Sequence, residues 1–293
     1  MSGNRQISSD RFWHRVLLLL VAIPFFYLLI YGLSIYQYLF LCICCVAASV
    51  IGSREMVLLF RRKSLNVDLW LALTIAAVFP VTAYLENIDV LAEGFALLLL
   101  IGTLSTVLIS SLIKTVKGQD LSLSLVTCSV TFFSGIYPSV FISFIVRMAD
   151  FGNAKWILLT FFLSVFINDI AGYVVGKSVK GRTAIGLTAS PSKTVLGYLA
   201  GITASALTIL VAKNYFPGAP QMNNFTALLG GSIIGVGAAV GDLVESMLKR
   251  SAETKDSGDL IPGRGGMLDS IDSLLFCAPV FFYWMRGFDW RHV

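Results

Sequence analysis

Nine stretches of this chain are too long and too apolar for the interior of a soluble domain. They fall near residues 16-33, 35-52, 68-85, 95-113, 121-146, 155-176, 195-212, 226-248 and 274-289. An α-helix rises about 1.5 Å per residue, so roughly 20 apolar residues cross the ~30 Å hydrocarbon core of a bilayer. Lipid offers no partner for an unpaired backbone group, so spans of this length are helices. The fold class expected is an all-α polytopic membrane protein with about nine transmembrane helices. Only 13% of the 293 residues are charged, against about 25% in a soluble domain. The isoelectric point near 9.0 does not argue for nucleic acid, because basic residues in such a chain report topology and anionic headgroups.

Arg5, Arg11 and Arg15 precede the first apolar run. That run is longer than the apolar part of a signal peptide and lacks a small-residue cleavage site close behind, so it reads as the first membrane helix. The five cysteines lie inside apolar runs without CxxC spacing and read as small buried hydrophobes. With the N-terminus placed in the cytoplasm, 17 of the 22 Lys and Arg residues fall in inside segments and 5 in outside ones. Positive residues favour the cytoplasmic side. The same arrangement puts loops 177-194 and 249-273 together on that side. The chain divides into N-terminal helices over 1-150 and a C-terminal region over 151-293 that carries both loops.

Charge concentrates in one place. Gly241 to Ser273 holds 7 of the 17 acids and 4 of the basic residues, between two membrane-grade segments. In the eighth span Asp242, Glu245, Ser246 and Lys249 share one helical face. Asp242 sits within the apolar run, where an acid is costly and usually functional. The glycines before it, including Gly230, Gly231 and Gly235, suit close helix packing. Downstream, Pro262-Gly263-Arg264-Gly265-Gly266 cannot be helix interior. It suits a tight turn whose N–H groups meet an anion, with Arg264 adding a forked cation. Asp269 and Asp272 open the last span, and with Asp242 they can surround a hard divalent cation beside phosphate oxygens.

A second charged region runs from 168 to 197. Asp169 lies inside the end of the sixth span. Lys193 follows Ser190-Pro191-Ser192 and, with Thr194, opens the seventh. Hydroxyls, N–H groups and an ammonium there suit a phosphate.

The order and spacing of Ser246, Lys249-Arg250, Lys255-Asp256, Pro262-Gly263, Gly265-Gly266, Leu268-Asp269 and Asp272 resemble the signature of the phosphatidate cytidylyltransferases, also called CDP-diacylglycerol synthases. The segments around Asp169 and Ser190 to Thr194 resemble that family's second shared region. The resemblance covers about 168-273. It implies a membrane enzyme that condenses CTP with phosphatidic acid to give CDP-diacylglycerol and pyrophosphate. It further implies Mg²⁺, with room for a second, monovalent cation, a homodimer, and a site on the cytoplasmic face of the cell's inner (plasma) membrane. Asp242, Asp269 and Asp272 would be the metal carboxylates. Lys193, Lys249, Arg250 and Arg264 would act on the phosphates. Asp169, Ser190, Thr194, Glu245, Ser246, Lys255, Asp256, Gly265 and Gly266 would line the substrates. The chain departs from the family pattern at Arg264, where His is usual, at Ser270 for Arg, at Ser192 for Lys and at Leu196 for Glu. Arginine stays protonated and cannot serve as a base. A CTP-dependent lipid kinase and a transporter are the competing readings.

Overall fold

A computed structural model describes residues 24–118, 120–179, 190, 193–216, 219, 222–261 and 265–287. After a π-helical turn at Leu28–Gly32 come eight long helices: α1 Ile35–Arg62, α2 Leu69–Asn87, α3 Phe95–Val116, α4 Ser124–Arg147, α5 Ala154–Ser178, α6 Val195–Tyr215, α7 Asn224–Ser251 and α8 Leu268–Arg286. Each is long and apolar enough to cross a bilayer, and the described residues hold no strand, only an isolated bridge between Ile261 and Gly265. The chain is an all-helical integral membrane protein. Of the expected first span, 16-33, residues 24-33 are described and contain the π-helical turn, while 16-23 lie outside the described residues.

Helices α1, α2 and α4 pack together, as do α5 through α8, and α4 against α8 joins the two groups. Helix α3 is peripheral, with only Val107 and Ser111 buried. Close approach comes from glycine, as the eighth span led us to expect. A Cβ at Gly231 would stand 2.5 Å from Ala206 Cα of α6. One at Gly241 would stand 2.5 Å from the Asp272 carbonyl oxygen of α8. Bilayer-depth backbone must also be satisfied locally. Pro80 within α2 has no N–H to give to the Ala76 carbonyl one turn earlier. The Ser49 hydroxyl of α1 donates to that carbonyl instead, at 2.8 Å.

The polar residues sort to two ends. At one end Lys63 pairs with Glu253, Lys114 with Asp68 at 2.5 Å, and the charged stretch around Lys249 gathers. At the other, Arg147 pairs with Glu86 at 2.5 Å and Lys213 donates to the Met222 carbonyl at 2.7 Å. The five cysteines that the apolar runs contain are free thiols, buried or half-buried.

Two helix ends differ from expectation. Helix α1 runs ten residues past its apolar core to Arg62, with Glu55, Met56 and Leu59 turned inward. Helix α8 begins at Leu268, six residues before its apolar run. Asp269 and Asp272 are therefore on the first turns of α8. The fifth span, which contains Gly135 and Pro138, is a single helix, α4.

The contact at Gly241 sets a test. Gly241→Ala pushes α7 off α8 and should cost about 1–3 kcal/mol, the usual toll of overpacking. Gly237→Ala should be near neutral, because its Cβ would meet nothing closer than Cys277 Sγ at 3.6 Å. Thermal unfolding of the two variants in detergent reads the difference, and equal midpoints would reject the packing assignment.

Candidate active site

The site forms where α5, α6, α7 and α8 present charged residues at one end of the bundle. Lys193 lies just before α6, and its ammonium pairs with the Asp242 carboxylate of α7. One turn before its own position on α7, Lys249 meets Glu245 Oε2 at 2.5 Å. The same ammonium pairs with Asp269 Oδ1 of α8. Glu245 is 1% exposed and Asp272 is also buried. Asp272, Asp169, Lys249 and Glu245 are further charged neighbours of Lys193. Burial pushes the Lys193 ammonium down to about 8, while Asp272 and Asp169 pull it back up. Asp169 Oδ1 accepts the Ser273 hydroxyl at 3.4 Å.

Asp269 is held from two directions. Its Oδ1 faces Lys249, and its Oδ2 accepts Ser257 N–H at 2.7 Å, Gly266 N–H at 2.8 Å and the Ser257 hydroxyl at 2.9 Å. The glycine pair is shaped around this carboxylate. Gly265 has φ +114°, and a Cβ there would stand 2.5 Å from Asp269 Oδ2. The anion that the Gly266 N–H meets in this structure is thus the chain's own carboxylate, and Gly265 N–H bonds the Ile261 carbonyl at 3.0 Å.

Of the residues singled out from the sequence, Asp169, Lys193, Asp242, Glu245, Lys249, Asp269 and Asp272 come together. Thr194 caps α6, its hydroxyl accepting Gly197 N–H at 3.1 Å. Ser190 is buried close by in the chain, its carbonyl accepting Lys193 N–H at 3.3 Å. Ser246 follows Glu245 and is half-buried, whereas Arg250, Lys255 and Asp256 are exposed. Arg264 and Ser192 lie outside the described residues.

Three residues were not anticipated: Glu55, Ser257 and Tyr137. Glu55 of α1 accepts N–H groups from Met267 and Leu268, each at 2.8 Å. The signal for it was helical phase, since Gly52, Met56 and Leu59 share its buried face. Tyr137 of α4 is buried with Asp272 and Glu245 as its charged neighbours. Among the described residues neither its hydroxyl nor Glu245 Oε1 has a hydrogen-bond partner.

Five carboxylates against two ammonium groups, with an orphaned oxygen among them, suit a hard cation. No three acids among the described residues converge into a finished cage. An Mg²⁺ ion held by one or two of these carboxylates would need water and substrate phosphates to complete its shell.

The fold and site define a polytopic membrane protein with a carboxylate–lysine site at one end of its helical bundle. The chain belongs to the cytidylyltransferase family, whose family model matches residues 13–288. It is 47% identical over 120 residues to the uncharacterized protein YnbB of Escherichia coli K12, covering 41% of this chain and 39% of that one. It is 40% identical over 136 residues to a phosphatidate cytidylyltransferase of Synechocystis, 46% of this chain and 45% of that protein. It is 30% identical over 272 residues to the chloroplastic phosphatidate cytidylyltransferase 4 of Arabidopsis thaliana, 82% of this chain and 66% of that one. The two bacterial matches each span less than half of the relative's length.

The Lys249 pairs give a stability test. Lys249→Met strands Glu245 and Asp269 as unpaired acids, a loss on the order of 3–5 kcal/mol for a buried pair. Adding Glu245→Gln should recover part of it, because one stranded charge is removed. Thermal unfolding of wild type, both single variants and the double variant measures the coupling, and strict additivity would contradict the pairing.

Proposed function

We propose that this protein transfers CMP from CTP to phosphatidic acid, forming CDP-diacylglycerol and pyrophosphate for phospholipid synthesis. The observation that carries the reading is the pair of lysines, Lys193 and Lys249, held at the bundle end by Asp242, Glu245 and Asp269. The named relatives in Synechocystis and Arabidopsis support it.

A phosphate oxygen of phosphatidic acid attacks the α-phosphorus of CTP. The new P–O bond forms as the bond to the β-phosphate bridge breaks, and pyrophosphate leaves with that electron pair. A phosphate monoester is already anionic near neutral pH, so no strong base is needed. The protein's task is to hold two polyanions together. Lys193 and Lys249 exchange carboxylate for phosphate oxygens, and exposed Arg250 and Lys255 meet the incoming triphosphate. Asp242, Asp269 and Asp272 would hold Mg²⁺, which would supply charge neutralisation to the triphosphate. A second, monovalent cation would draw on the same group of carboxylates. The lipid arrives laterally from the bilayer and CTP from the cytoplasm. The site then faces the cytoplasm from the inner membrane, in a homodimer.

Purified protein with phosphatidic acid, Mg²⁺ and CTP labelled in either the cytidine or the γ-phosphate tests this. The expected result is cytidine in the lipid, pyrophosphate released, and loss of both on chelation. Label from the γ-phosphate in the lipid points to a lipid kinase instead. Asp242→Asn should lower turnover by about a hundred- to a thousandfold, the range seen when a group acting on developing charge is removed. Wild-type turnover in a folded Asp242→Asn variant would reject the role given to that carboxylate.

A further inference from the structure

Glu55 belongs to none of the charged stretches, yet it is built into the site from the far half of the chain. It stands 202 residues from Ser257 and 213 from Leu268 in sequence. Its carboxylate is 4% exposed. Oε1 accepts Met267 N–H at 2.8 Å; Oε2 accepts Leu268 N–H and the Ser257 hydroxyl, each at 2.8 Å. The same hydroxyl lies 2.9 Å from Asp269 Oδ2. One serine thus bridges the two carboxylates.

Nothing in α1 itself needs an acid there. Its inward neighbours Gly52, Met56 and Leu59 form an ordinary apolar face. Among the described residues no lysine or arginine pairs with Glu55. A buried carboxylate without a cation is costly unless donors meet it. Here the donors are one hydroxyl and the N–H groups at the start of α8, where the helix dipole also favours an anion. The surrounding loop leaves room for nothing larger. A Cβ at Gly258 would come within 2.7 Å of Oε1, and one at Gly266 within 2.4 Å of Oε2. Among the described residues, every side-chain hydrogen bond of Glu55 is to the segment that carries Asp269.

We propose that Glu55 is a positioning residue for the active site. It fixes Ser257 and the first turn of α8, so that Asp269 keeps one oxygen on the loop and offers the other to Lys249. This is one contribution of the N-terminal helices to the site, and its kinetic consequence rests on the CTP-dependent reading above.

The test uses full-length Glu55→Gln and Glu55→Asp, with Ser53→Ala as the comparison. Ser53 is a neighbour in α1 whose hydroxyl bonds only the Ala72 carbonyl, at 3.3 Å. Hydrogen exchange is followed over 255-270, together with kcat, KM for CTP and the Mg²⁺ concentration for half activity. A glutamine puts an NH2 against an N–H or hydroxyl donor. Exchange over 255-270 should therefore rise about tenfold or more in Glu55→Gln, the size expected for losing hydrogen bonds to a charged group. The Mg²⁺ requirement should rise several-fold, and kcat should fall. Exchange in α5 and α6 should not change. Glu55→Asp, which keeps the charge, should lie between wild type and Glu55→Gln, and it is read by the same measures if Glu55→Gln does not fold. Ser53→Ala should match wild type throughout.

Wild-type exchange over 255-270 in the Glu55 variants would overturn the proposal. So would raised exchange with unchanged Mg²⁺ requirement and kcat, which would leave Glu55 a purely structural residue. Absence of turnover in the wild type counts against the reaction assigned to the site. The exchange arm still judges the Glu55 contacts in that case.

Discussion

A carboxylate near a bilayer survives as an ion only where a cation or several donors meet it. That constraint organises this molecule. Asp242 and Asp269 meet lysines, and Glu245 shares Lys249 with Asp269. Asp269 also draws two N–H groups and a hydroxyl from the loop before α8. On the reading proposed above, polyphosphate would present the lysines with the same kind of oxygen that they hold now, and the two ammonium groups would change anion without leaving the site. Such an exchange would assemble a phosphate-binding site at a membrane surface, where unpaired lysines are poorly tolerated.

The helices serve this end of the bundle in specific ways. Glycine lets α7 lie against α6 at Gly231 and against α8 at Gly241, next to Asp242. The Asp272 carbonyl is the atom that Gly241 faces, so the packing contact and the acids share one register. Ser49 occupies the carbonyl that Pro80 leaves open, which keeps α1 and α2 in contact. Lys63 of the α1–α2 connection pairs with Glu253 at the other edge of that loop. The loop is therefore tied to the N-terminal helices at two points, one buried and one exposed.

Much of this was legible in the sequence because its causes are local. Apolar runs of membrane length gave the helices, and the glycines of the eighth span announced close packing. Asp242, Glu245 and Lys249 share a helical face by spacing alone. What was not legible depends on distant partners. Helix α8 starts at Leu268 because Glu55, far away in the chain, accepts its first N–H groups. Helix α1 continues to Arg62 because its extra turns bury Glu55, Met56 and Leu59 on an interface that hydropathy does not reveal. The Gly265-Gly266 turn looked like a cradle for a foreign anion. Its shape instead fits Asp269 and Glu55, a choice that spacing cannot encode.

The central claim is that Lys193 and Lys249 trade their carboxylate partners for phosphate when nucleotide binds. An experimental structure of the protein with CTP and Mn²⁺ in place of Mg²⁺ tests it most directly, because the anomalous signal of manganese locates the cation independently. The account predicts a manganese peak at Asp242 with the triphosphate in contact with both lysines. A peak away from the α7–α8 carboxylates, or nucleotide bound while Lys193 stays on Asp242 and Lys249 on Asp269, would contradict it.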